Sequence, residues 1–169
     1  DLPVFTSTPI KTAIEDQEYE YIIEISDEDL STNIDLNENI TIRVLELPSF
    51  LTFNIISNNK AIIQGTPTQS DLGENLVRLE VDDLSGGIAL QEFTIKVFNI
   101  NDIPIFTSIP ITDATEDQEY EYIIEITDTD LSENIIITAT TIPKFLTLND
   151  NGDNTARLFG IPFQNDVGD

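Results

Sequence analysis

"EYEYIIEI", residues 18 to 25, occurs twice in the chain, the second time at residues 119 to 126. Tyr19, Tyr21, Ile23 and Ile25 alternate with Glu18, Glu20, Ile22 and Glu24. A period of two places one set toward a core and the other toward water, as in a half-buried β-strand. "NLVRLEV" (75–81) repeats the pattern, with Val77, Leu79 and Val81 on one face and Arg78 and Glu80 on the other. "FTIKV" (93–97) forms a third such face from Phe93, Ile95 and Val97. Between these two, "DDLSGG" (82–87) supplies Asp and Gly for a hairpin. Strands also fit residues 40–46 and 60–64, with "GTP" closing the latter. About seven short strands in about 100 residues, with no helical period, predict a β-sandwich.

The duplication extends well beyond this strand. "LPVFTSTPIKTAIEDQEYEYIIEISDEDLS" begins at Leu2 and "IPIFTSIPITDATEDQEYEYIIEITDTDLS" at Ile103, an offset of 101 residues with most positions identical. After Ser31 the first copy carries six extra residues, and the offset becomes 95. "LPSFLTFN" then matches "IPKFLTLN", "GTPTQSDLGE" matches "GIPFQNDVGD", and Asp1 aligns with Asp102. The expected organisation is all-β, with tandem Greek-key sandwiches: a complete one over 1–102 and an incomplete one over 103–169. The second lacks counterparts of the last two strands. It is read as truncated, as completed elsewhere, or as split by an inserted domain.

Composition narrows the chemistry. Against 32 Asp and Glu stand 7 Lys and Arg, a net charge of −25, and the basic residues are scattered. Such a field disfavours nucleic acid and anionic membrane surfaces. No stretch approaches the ~20 apolar residues of a membrane helix. No basic-plus-apolar start resembles a signal peptide, and Asp1 is read as the interior of a longer protein. His, Cys, Met and Trp are all absent. Their absence removes Ser-His-Asp and Cys-His nucleophilic machinery and the usual zinc, copper and iron ligands. No enzymatic activity is expected, and without cysteine no compartment follows from disulfides. An oxygen-only inventory remains, suited to Ca²⁺ or Mg²⁺.

Residues 97–106, "VFNINDIPIF", join the two copies. Together with "P-x-F" at the start, "EDQEYEY", "DxDL", "LPSFL", "GTPTQSDLG" and "VDDLSGG", they give the chain a family likeness. It resembles the dystroglycan-type cadherin-like (Ig-like) tandem repeats of bacterial surface adhesins. The resemblance implies Ig-like or cadherin-like sandwiches stiffened by calcium at their junctions, on the cell surface or outside the cell. The family's linker reads roughly D-x-N-D-N-x-P. Here Asn99 stands where an Asp is usual and Ile103 replaces the last Asn, so fewer ions or weaker binding is implied. On this likeness Glu15 with Asp16, Asn101 with Asp102, and Asp128 with Asp130 form an inter-domain Ca²⁺ shell. Asp27 and Asp29 match the last pair and belong to a site shared with a preceding domain, for which partial or no occupancy is expected.

The chemistry of the residues points the same way. Ca²⁺ takes six to eight oxygens at about 2.3–2.6 Å, and two carboxylates at i and i+2 in a loop can converge on one ion. Without the ion each close pair of carboxylates repels by roughly 1 kcal/mol at high effective dielectric. The competing role for all these residues is a solvated Asp/Asn turn.

Other features have plainer readings. Asp82 and Asp83 suit the hairpin before Gly86 and Gly87, with a ligand role as the alternative. Asp71 and its partner Asp166 are either ligands or turn residues. "NDNGDN" (149–154) is read as a hairpin turn, since "NIISNNK" fills its place in the first copy without the acids. The "NIT" sequon at 39–41 falls at the start of a predicted strand, and the insertion "NIDLNE" (33–38) is a tolerated loop. Paired carboxylates of a glycosidase are disfavoured where acids are this common. The expected role is therefore that of calcium-stiffened extender repeats projecting a binding module for a glycan or protein ligand, with neighbouring repeats of the same chain as partners. The alternatives are a split-domain scaffold that binds or presents a carbohydrate- or peptide-binding module, and an accessory domain of a secreted polysaccharide-degrading enzyme.

Overall fold

The computed structural model describes residues 2–27, 40–130 and 135–168. The chain divides into two compact units, Asp1–Ile100 and Asn101–Asp169. No helix among the described residues is long and apolar enough to cross a membrane.

The first unit contains β1 (Val4–Phe5), β2 (Thr12–Ile14), β3 (Tyr19–Ser26), β4 (Thr41–Glu46), β5 (Thr52–Ser57), β6 (Lys60–Gly65), β7 (Gly73–Asp82) and β8 (Ile88–Phe98). One sheet runs β1-β3-β6-β5 and the other β2-β8-β7-β4. This is the order of an Ig-like sandwich whose first strand is divided between the two sheets. β2 pairs with β8 in parallel, from Thr12↔Lys96 to Ile14↔Phe98. The eighth strand, β5, is one that alternation does not single out. It lies at a sheet edge, where only Phe53 packs against the core and Ile55 and Ile56 are each more than half accessible.

Alternation elsewhere becomes burial. β3 hides Tyr19, Tyr21, Ile23 and Ile25 and exposes the residues between them. They join Val77, Leu79 and Val81 of β7 and Phe93, Ile95 and Val97 of β8 in one core. The Tyr21 and Phe93 rings meet edge to face at 5.6 Å and 87°, an arrangement that adds about 0.5–1.5 kcal/mol beyond area burial. Gly65 closes β6 where a Cβ would lie 1.8 Å from the Phe50 carbonyl oxygen, and Gly160 meets Phe145 at the same 1.8 Å. On the outer faces Arg43 pairs with Glu80 at 3.2 Å, Lys60 with Glu24 at 2.7 Å, and Arg78 with Glu92 at 2.6 Å. These basic residues are thus spread over cross-strand pairs.

The second unit contains β9 (Ile105–Phe106), β10 (Tyr120–Thr127), β11 (Leu146–Asp150) and β12 (Thr155–Gly160). They form one sheet, β11-β12-β10-β9, matching β5-β6-β3-β1 strand for strand. The registers agree as well: Tyr19 lies opposite Gly65, and Tyr120 opposite Gly160. Among the described residues there is no second sheet. Residues 113–115 and 136–141, which match β2 and β4 in sequence, form no strand. In the first unit β2 pairs only with β8 and β4 only with β7. Among the described residues no strand matching β7 or β8 lies beside those segments to give them a ladder. Along β10 residues accordingly alternate between half-buried and exposed, where along β3 they alternate between buried and exposed. The described residues of the second unit thus form the counterpart of one of the two sheets of the first.

Candidate functional site

In the first unit the site is built around Glu15. The parallel register of β2 on β8 sets Ile14 opposite Phe98, and the Glu15 N–H donates to the Phe98 carbonyl at 2.9 Å. This places Glu15 beside Asn99. The next residue turns sharply: Asp16 has φ 57° and donates its N–H to the Pro67 carbonyl at 2.9 Å. Asp117, its counterpart in the second unit, has φ 59° and donates to Pro162 at 3.0 Å. Asp tolerates this left-handed conformation better than most residues, so its side chain has a backbone reason to be here besides any ligand role.

The Glu15 carboxylate is only 2% exposed. The Gln69 side-chain amide lies over it, with its nitrogen 2.9 Å from Oε1, 3.2 Å from Oε2 and 2.9 Å from Asn99 Oδ1. This orientation is assigned because the reverse would set oxygen against oxygen. The Ile100 N–H is 3.5 Å from Glu15 Oε2. The sequence reading missed Gln69. Its signal was present, since Gln69 recurs as Gln164 in the matched "GTPTQSD" and "GIPFQND".

In the second unit the aspartates gather about Asp130, which is 5% exposed. Asp130 Oδ2 accepts the Asp102 N–H at 2.6 Å, and the Asp130 N–H donates to Asp128 Oδ1 at 2.9 Å. Asn101 Nδ2 donates to the Asp102 carbonyl at 2.6 Å. The linker residues and the D-x-D pair are therefore joined within this unit. In the first unit Asp27 is buried, at 7% exposure. Asp29, the "NIDLNE" insertion and the first residue of the "NIT" sequon lie outside the described residues.

The remaining acids are engaged in turns. Asp71 Oδ2 accepts from the Thr68 N–H and Oγ1, both at 2.8 Å, and closes the 3-10 turn Gln69–Asp71. Asp166 closes the matching turn through the Phe163 N–H at 2.9 Å. Asp83 Oδ1 accepts from the Gly87 N–H at 2.7 Å and the Ser85 N–H at 2.8 Å. Those N–H groups hold its carboxyl below the ordinary carboxylate value. Asp150 and Asp153 accept backbone N–H groups within the β11–β12 hairpin. Among the described residues no group of three or more carboxylates converges as a metal cage.

Each set thus offers carboxylate and amide oxygens with no nitrogen or sulfur ligand, the donor chemistry that suits Ca²⁺.

Solved structures resemble the chain, and one above a TM-score of 0.5 shares its fold. A chain of the protocadherin gammaB7 cis-dimer matches over 96% of this chain and 40% of its own length, at 13% identity and a TM-score of 0.54. The endo-fucoidan hydrolase MfFcnA4 of glycoside hydrolase family 107 matches over 99% of this chain at 22% identity and a TM-score of 0.48. This chain spans 25% of that hydrolase. The SrpA adhesin of Streptococcus sanguinis matches over 68% of this chain and 71% of its own length, at 18% identity and a TM-score of 0.40. No curated protein matches the sequence. Residues 2–98, the whole sandwich of the first unit from before β1 to the end of β8, match the family model described as "Putative Ig domain", and the chain belongs to that family.

Proposed function

We propose that the chain forms calcium-stiffened extender repeats of a large extracellular or cell-surface adhesin, holding a binding module away from the surface that anchors it. Ig-like domains of adhesin type are usually extracellular, in keeping with this placement. The observation that carries the proposal is the burial of Glu15, whose carboxylate shares the Gln69 amide nitrogen with the Asn99 side-chain oxygen. A buried charge is costly unless it is paired or coordinated. Amide groups are among its partners, and its oxygens are of the type that Ca²⁺ takes.

The proposed ligands are Glu15 and Asp16 in the first unit and Asn101, Asp102, Asp128 and Asp130 in the second, with the Asn99 side-chain oxygen as a further donor. Ca²⁺ would supply positive charge in a chain of net −25 and relieve repulsion among these acids. Asn at position 99 and Ile at position 103 reduce the number of oxygens, so the proposed site binds more weakly than a linker with the full acidic pattern. In this reading the ion turns a loose junction into a stiff one.

The test is a calcium titration of the chelated chain, followed by thermal unfolding and small-angle scattering. Calcium is expected to raise Tm and narrow the distribution of dimensions, and Glu15→Gln or Asp130→Asn is expected to remove the response. A melting temperature and a maximum dimension that ignore calcium would overturn the proposal.

A further inference from the structure

The terminal amide of Gln69 faces three oxygens at once: Glu15 Oε1 at 2.9 Å, Glu15 Oε2 at 3.2 Å and Asn99 Oδ1 at 2.9 Å. All three residues belong to the first unit. A primary amide has two hydrogens, so its nitrogen fully serves at most two of these oxygens. The spacing also suits a cation. Oxygens held by one Ca²⁺ at about 2.3–2.6 Å in a pentagonal bipyramid stand about 2.7–3.7 Å apart. With the amide turned over, Gln69 Oε1 takes the nitrogen's place, at 2.9, 3.2 and 2.9 Å from the same three oxygens. One orientation donates hydrogen bonds to a buried carboxylate. The other completes a group of four oxygens at ligand spacing.

The backbone beneath the amide is held from both sides. Gln69 opens the 3-10 turn Gln69–Asp71. Asp71 Oδ2 accepts from the Thr68 N–H and Oγ1, both at 2.8 Å, and Asn75 Nδ2 donates to the Asp71 carbonyl at 2.8 Å. The Asp16 N–H donates to the Pro67 carbonyl at 2.9 Å, which ties this turn to the one that carries Glu15. What stays free to move is the end of the side chain. The last torsion of Gln is broad and roughly two-fold, so half a turn about it exchanges oxygen and nitrogen with no shift of backbone. Gln69 is half-buried and Asn99 exposed, which keeps the amide within reach of water.

We infer, on the basis of the proposed calcium site, that Gln69 is a two-position switch. Its amide nitrogen holds the Glu15 carboxylate in the metal-free chain, and its oxygen joins the ligands when Ca²⁺ enters. A buried carboxylate without a cation needs hydrogen-bond donors, and here one side chain supplies a donor and can exchange it for an oxygen. Binding then breaks the hydrogen bonds of the amide nitrogen, a cost that weakens affinity. In return, the first unit has a donor for Glu15 when calcium is scarce.

The test follows the side-chain amide protons of Gln69 by NMR in the full, ¹⁵N-labelled chain, first with chelator and then through a calcium titration. In chelator these protons are expected to exchange slowly with water. Their protection should vanish over the same calcium concentrations that raise Tm. A Tm that rises while the Gln69 protons stay protected would overturn the switch and leave the calcium site standing. A Tm and an amide signal that both ignore calcium would overturn the two together. Gln69→Met keeps the length and removes the oxygen, so it is expected to bind calcium at least about tenfold more weakly. Equal or tighter binding would mean that the amide merely obstructs the site, which also overturns the switch. Gln69→Glu presents an oxygen in either orientation. It is expected to lower Tm in chelator and to bind calcium at least about tenfold more tightly, and weaker binding would count against the switch. Should a variant fail to fold, the titration of the unaltered chain decides.

Discussion

The Gln69 amide nitrogen donates to both oxygens of Glu15, at 2.9 and 3.2 Å, and so ties the turn after β6 to the turn after β2. Gln69→Ala leaves a buried carboxylate short of one of its donors. In metal-free buffer the first unit is expected to lose about 1–3 kcal/mol, read from urea denaturation. Glu15→Gln removes the charge together with the need to satisfy it and is expected to cost less. A Gln69→Ala chain as stable as the parent would show that the amide contributes nothing.

Gly65 and Gly160 each meet a backbone carbonyl where a Cβ would stand, at 1.8 Å in both cases. Backbone cannot rotate away as a side chain can, so Gly65→Ala is expected to destabilise the first unit by about 3 kcal/mol or more. Gly160→Ala is expected to act on the second unit. Two-probe unfolding that separates the units would check both.

Alkaline pH should act through Tyr19. Burial, with Tyr21 beside it, pushes its phenol well above the ordinary value of 10.0. The fold therefore favours the neutral form, whereas the unfolded chain ionises near the ordinary value. Stability is intact below about pH 10 and falls as pH rises beyond it. Tyrosinate absorbance should show Tyr19 titrating only as the first unit unfolds. Tyr19→Phe should flatten the alkaline slope, and an unchanged slope would count against this origin.

Monovalent salt should stabilise the chain before any calcium is added. At net −25 the folded state repels itself, and raising ionic strength from about 0.01 to 0.15 M shortens the screening length from about 30 to 8 Å. Tm is expected to rise with sodium chloride in the presence of chelator. A falling Tm would mean that the cross-strand pairs of Arg43, Lys60 and Arg78 outweigh the repulsion.

Alternation made β3, β7 and β8 readable, because a strand with one dry face must place its apolar residues two apart. The edge strand β5 was not readable this way, since only Phe53 along it packs against the core and its sequence carries no period. The acids of the site were legible as types, with matched positions in both copies. Their partners were not. Gln69 reaches Glu15 only because β2 runs parallel to β8 and the turn after β6 folds over its end, contacts that span more than fifty residues of chain.

By itself the sequence determined the all-β class, the duplication, the turn chemistry of the Asp and Gly residues, and an oxygen-only donor set. These follow from local rules of period, backbone freedom and side-chain type. Only the tertiary structure decided which acids are buried, which ones close turns, and that Gln69 belongs with Glu15. It also decided that 113–115 and 136–141 are not strands although their counterparts in the first unit are. A strand exists by virtue of its hydrogen-bonded neighbour, and no local stretch of sequence contains that neighbour.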